Sequence, residues 1–117
     1  MQRLYDSEAA VEAHLRKRVK ELGGRAYKFV SPGAVGAPDL MLAMPDGVVI
    51  FVECKGRGGS FTPMQALRLG ELDALQQPVA AVWSKTDVEE LLDGWRRNGT
   101  DCQGLRRDLA GLQSWRR

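Results

Sequence analysis

The stretch Asp39-Leu40-Met41-Leu42-Ala43-Met44-Pro45-Asp46-Gly47-Val48-Val49-Ile50-Phe51-Val52-Glu53-Cys54-Lys55 reads as two strands joined by a tight turn. Asp39 to Met44 is mostly apolar, Pro45-Asp46-Gly47 carries the turn chemistry, and Val48 to Lys55 is rich in β-branched residues. Successive strand side chains point to opposite faces, so Glu53 and Lys55 share a face with Val49 and Phe51. Pairing across the turn can bring Asp39 beside them. Two carboxylates and one ammonium then converge at the end of an apolar surface.

Working outward from the hairpin, the loop Ser31-Pro32-Gly33-Ala34-Val35-Gly36-Ala37-Pro38 delivers Asp39, and Arg25 to Val30 before it reads as a short strand. Further upstream, Val11, Leu15, Val19 and Leu22 recur at helical spacing; Asp6 or Ser7 caps that helix and Gly23-Gly24 stops it. Downstream, Gly56, Gly58, Gly59 and Ser60 lead to a helix that begins near Pro63 with Thr62 as its cap and carries Met64, Leu67, Leu72 and Leu75. Pro78 ends it, Val79 to Trp83 reads as a buried strand, and Thr86 to Arg97 as a helix with Leu91, Leu92 and Trp95 on its apolar side. Leu105, Leu109 and Leu112 suit one further helix. The order is α-β-β-β-α-β-α, and the strand-helix-strand crossover predicts an α/β fold with a central mixed sheet flanked by helices.

A chain of 117 residues, 44% hydrophobic and 27% charged, suits one domain over residues 1–117 with one modest core, residues 98–117 forming a C-terminal helix or tail. Cys54 and Cys102 have no CxxC spacing and His14 stands alone, so neither a zinc site nor a disulfide framework is supported and a cytoplasmic setting is expected. No stretch approaches the roughly 20 apolar residues of a membrane span. A net charge of +2 does not by itself announce a nucleic-acid partner, but its distribution is uneven. Arg16, Lys17, Arg18 and Lys20 crowd one segment, and Arg96, Arg97, Arg106, Arg107, Arg116 and Arg117 load the C-terminal part. Solvated helix faces are the alternative account.

Converging carboxylates resist joint ionisation unless a cation sits between them, and hard oxygen ligands with open positions suit magnesium or manganese. Such an ion binds a phosphate oxygen and acidifies a water, the tasks of phosphodiester hydrolysis. Lys55 is the natural partner of the attacking water or of charge building on the phosphate, and the Cys54 backbone carbonyl can add a metal ligand. The alternative is a surface hairpin in which Lys55 merely bridges Asp39 and Glu53.

The ordered set Val11-Glu12-x-x-Leu15, Gly23-Gly24, Lys28-Phe29-x-Ser31-Pro32-Gly33, Gly36-x-Pro38-Asp39, Phe51-Val52-Glu53-Cys54-Lys55 and Gln65 resembles the VRR-NUC family of the PD-(D/E)XK nuclease superfamily. The resemblance implies a restriction-endonuclease-like domain, Mg2+ or Mn2+ as cofactor, Asp39 and Glu53 as metal ligands, and Lys55 as catalytic lysine. It also implies Glu12 as a further carboxylate bordering the site and Gln65 as a polar group reaching it from the next helix. Short stand-alone members resemble Holliday junction resolvases, so branched DNA and a homodimer are the expected partners, in a bacterial, prophage or phage-infected cell. Where many relatives have a branched aliphatic residue, this chain has Cys54, which leaves the backbone role untouched and raises a question about oxidation.

Several assignments keep an alternative. Glu8 lies one turn from Glu12 on much the same face. Gln65 can be an ordinary helix residue. Lys28, Ser31 and Arg57 are candidate nucleic-acid contacts, with plain loop polarity as the other reading. Trp83, Trp95 and Trp115 suit core or interface better than base stacking, and His14 a helix surface. A flap or restriction-like nuclease on the same scaffold, or a catalytically silent DNA-binding module, are the competing functions.

Overall fold

The hairpin forms as its alternation predicts. In the computed structural model, which describes residues 6–112, β2 (Leu40–Ala43) and β3 (Val49–Cys54) pair antiparallel, with Leu40 opposite Val52 and Ala43 opposite Val49. Between them the Gly47 amide donates to the Met44 carbonyl at 3.1 Å, and Asp46 Oδ1 accepts the Val48 amide at 3.2 Å. β1 (Arg25–Lys28) adds antiparallel to β2, and β4 (Val79–Val82) adds parallel to β3, giving the mixed order β1-β2-β3-β4. The parallel step needs a crossover, and α2 (Pro63–Ala74) supplies it. Strands are shorter than the sequence suggests by one or two residues at their ends, where the ladder gives way to loops.

α1 (Glu8–Glu21), α3 (Lys85–Asn98) and α4 (Cys102–Leu109) cover one face of the sheet, so the α/β fold class and element order hold, with the extra helix present. There Leu40, Leu42, Ile50, Val52, Cys54, Ala80 and Val82 meet Val11, Leu15 and Val19 of α1 and Leu91, Leu92 and Leu105 from the other two helices. Leu112 falls in a short 3-10 turn, Ala110–Leu112, and packs at the margin of this core. Trp95 is a core residue whose Nε1 donates to both Asp46 carboxylate oxygens at 3.1 Å, tying α3 to the hairpin turn. His14 bridges α1 to α3 through Glu89 at 2.8 Å, with Arg18 on the same carboxylate at 3.1 Å. Trp115, Arg116 and Arg117 lie outside the described residues.

α2 differs from its sequence reading. Leu67 is 49% and Leu75 69% exposed, and the residue that seats the helix is Leu69, buried with Val79 and Ala81 on the second face of the sheet. A crossover helix touching mainly one strand buries a narrow stripe, so most of its apolar residues stay at the edge.

Two glycines bring loops onto the ends of β2 and β3. Gly36 has φ +89°, and a Cβ there would lie 2.5 Å from the Met64 carbonyl carbon, so the loop before Asp39 rests on the first turn of α2. Gly56 does the same on the other side, where a Cβ would lie 2.5 Å from the Glu8 amide nitrogen at the start of α1. Gly36→Ala is expected to cost about 1–3 kcal/mol, read as a lower urea midpoint at unchanged slope. A native midpoint would show that loop and helix are not in contact.

Candidate active site

The register that pairs Leu40 with Val52 puts Asp39 opposite Glu53 one step further on, and the Phe29 amide donates to the Asp39 carbonyl at 2.8 Å, extending the β1 ladder to it. Asp39 Oδ2 accepts the Cys54 amide at 3.0 Å, which holds its carboxylate at the strand end. Glu53 and Lys55 follow on one face of the chain, 2% and 8% exposed. The α/β layers bury these charges because α2 and the segment before it close over them.

Gln65 organises the cluster. Its Oε1 accepts from Lys55 Nζ at 2.9 Å and from the Thr62 amide at 2.9 Å, while its Nε2 donates to Glu53 Oε2 at 3.3 Å. The Thr62 hydroxyl accepts the Gln65 amide at 3.1 Å, closing a reciprocal capping box at the start of α2. Lys55 Nζ lies 3.6 Å from Glu53 Oε2 and 5.7 Å from the Phe61 ring centroid. The remaining Glu53 oxygen, Oε1, is buried and has no hydrogen-bond partner.

Burial pushes the Glu53 carboxyl up to about 8; the neighbouring Asp39 carboxylate adds to the shift, and Lys55 opposes it. Without a cation this carboxyl therefore keeps its proton at neutral pH. An orphaned buried oxygen facing a second carboxylate is the donor set a hard divalent cation takes, so Asp39 and Glu53 fit such an ion.

The structure brings Asp39, Glu53, Lys55 and Gln65 together and leaves Glu12 apart. Glu12 Oε2 accepts from Arg16 Nε at 3.0 Å and Oε1 lies 3.6 Å from Lys28 Nζ. Among the described residues no group of three or more His, Cys, Asp or Glu side chains gathers in metal-holding geometry. Glu12 and Glu8 are still near enough to act on the Cys54 thiol, which burial, followed by Asp39 and these acids, holds far above its ordinary range. That thiol is a core group with little thiolate, which answers the question of its oxidation.

Of the expected nucleic-acid contacts, Lys28 is the exposed partner of Glu12, Ser31 starts the loop before Asp39, and Arg57 is exposed, with its amide donating to the Asp6 carbonyl at 3.1 Å. Phe61 escaped sequence reading, since nothing local marks an aromatic as the brace of a lysine six residues away. The reciprocal cap, by contrast, is written in Thr62-Pro63-Met64-Gln65, a threonine followed three residues on by glutamine.

No family model matches the chain. It is 45% identical over 85 residues to "Putative nuclease p44" of Acyrthosiphon pisum secondary endosymbiont phage 1, covering 73% of this chain and 90% of that protein. Its fold is similar to a solved structure described as "VRR_NUC domain", with a TM-score of 0.69 at 26% identity, covering 77% of this chain and 99% of that one.

Proposed function

The chain belongs to the VRR-NUC family of the PD-(D/E)XK nucleases, and from that footing we propose that it is a divalent-metal-dependent DNA endonuclease acting on branched DNA as a homodimer. The observation that carries the metal-dependent part is the half-buried Asp39 beside the buried Glu53 and Lys55, with Glu53 Oε1 lacking a partner. Asp39 and Glu53 would hold magnesium or manganese with the Cys54 carbonyl. Glu12, paired here with Arg16 and Lys28, would join them as a further carboxylate on release from those partners. When bound, the ion supplies charge stabilisation on the phosphate and a more acidic water.

The protein's own groups do the rest. Gln65 aims the Lys55 ammonium and Phe61 backs it, so it meets the oxygen on which negative charge develops without losing time to reorientation. The preference for branched DNA rests on the family resemblance and on symmetry, since a two-fold dimer presents two such centres to two equivalent strands of a four-way junction.

Labelled four-way junction, flap and linear duplex DNA, incubated with magnesium or manganese and either the native chain or Asp39→Asn, test this directly. Paired symmetric cuts in the junction, absent from the variant, are the expected result. Equal cutting of all three substrates would leave a nuclease without branch selectivity, and binding with no metal-dependent cutting would leave a silent DNA-binding module.

A further inference from the structure

Glu12, Arg16 and Lys20 succeed one another at four-residue steps along α1, so their side chains form one row on the helix. That row lies over β1: Arg16 Nη1 donates to the Ala26 carbonyl at 3.4 Å, and Glu12 reaches Lys28. Between helix and strand lies a groove of about 290 Å³ lined by Arg16, Lys20, Gly24, Arg25 and Ala26. No carboxylate lines it. Arg16 shares its charge with Glu12, whereas Lys20 and Arg25 have no carboxylate partner among the described residues. The nearest acid in sequence, Glu21, is taken up by Arg18 at 2.7 Å.

Cations gathered around a concavity that lacks acids concentrate a positive field there and favour an anion. β1 is an edge strand, so the groove opens at the side of the sheet. The same strand leads to the active centre. From Ala26 to Phe29, whose amide holds the Asp39 carbonyl, is about 10 Å of extended chain. On a duplex that length corresponds to about three base pairs.

We infer that this groove is a second phosphate-binding site, which takes the DNA backbone about three base pairs from the cleaved bond. It rests on the nuclease reading above and deepens it by adding a place where the duplex is held. Glu12 acts here as a positioning residue: it fixes Arg16 and Lys28 on the path between groove and centre. Contacts of this kind set the register of the duplex and carry no base sequence.

The test uses the full chain carrying Lys20→Glu with Arg25→Glu, two exposed positions, beside a control of equal charge change, Arg96→Glu with Arg107→Glu, also exposed. Binding of labelled duplex is followed by anisotropy over a salt series in calcium, and cleavage kinetics in manganese. The groove variant is expected to lose about 2 from the slope of log affinity against log salt, two phosphate contacts' worth. Its KM for DNA should rise about 10-fold or more while kcat stays within about 2-fold of native. The control should keep the native slope. A native slope in the groove variant, or an equal loss in the control, overturns the inference. Should the native chain cut no DNA, the nuclease reading falls, and the binding slopes still decide the groove.

Discussion

Glu53→Gln is expected to melt at a higher temperature than the native chain at pH 8 in EDTA, and to cut DNA slower by on the order of 10³-fold or more in manganese. The stability part follows from proton linkage. With the folded carboxyl raised from 4.5 to about 8, the folded protein keeps a proton that the unfolded chain has released between those values. Folding stability is therefore undiminished by this group below pH 4.5, and falls by up to about 1.4 kcal/mol per pH unit as the pH climbs towards 8. Glutamine has the same shape, still accepts from Gln65, and has no proton to lose. Magnesium or manganese should reverse the loss in the native chain, because a cation favours the ionised carboxylate, and should do little for the variant. Thermal melts at pH 5 and pH 8, with and without metal, check every part. Parallel pH profiles for the two proteins would show that Glu53 does not carry the strain.

Lys55→Ala is expected to lower the single-turnover rate by about 10²–10³-fold at saturating metal while leaving the metal-induced rise in melting temperature in place. The ammonium is held by Gln65 and Phe61 and is not among the oxygen donors, so its removal should touch reaction more than metal binding. Lys55→Arg should not restore the rate, since a planar guanidinium cannot occupy a niche closed by the Gln65 amide and an aromatic ring. Titrating the metal in single-turnover assays separates the cases. A loss of metal affinity with a native rate at saturation would make Lys55 a prop for the site and not a participant.

Much of this centre was legible because it is local. Alternation fixes which side of β3 carries Glu53 and Lys55, and Pro45-Asp46-Gly47 fixes which residue of β2 stands opposite. Gln65 is named only by the family resemblance, although the threonine three residues before it carries the local capping signal that fixes its place. What escaped depends on contacts made at a distance. The sequence offers Asp6 as a possible cap for α1, where Ser7 serves; its carboxylate instead accepts the Lys85 amide at 2.9 Å, capping a helix that begins far along the chain. Leu69, not Leu67 or Leu75, seats α2 because only the path of the crossover selects the stripe that meets β4. Glu12 shows the limit most clearly. Its place in the row Glu12-Arg16-Lys20 was available from spacing, but the strand that brings Lys28 to it was not.

The Gln65 side chain belongs at once to a helix end and to the reactive cluster. Helix ends fray on a time scale and at an energy far below those of global unfolding. Each time the first turn of α2 opens, the Thr62 and Lys55 bonds to the same oxygen are released together, and the ammonium loses its aim. On the proposed role of Lys55, the fraction of molecules competent to react would be set by a local opening equilibrium, so the protein could idle while still folded, and the capping of a single helix would act as a throttle on its turnover.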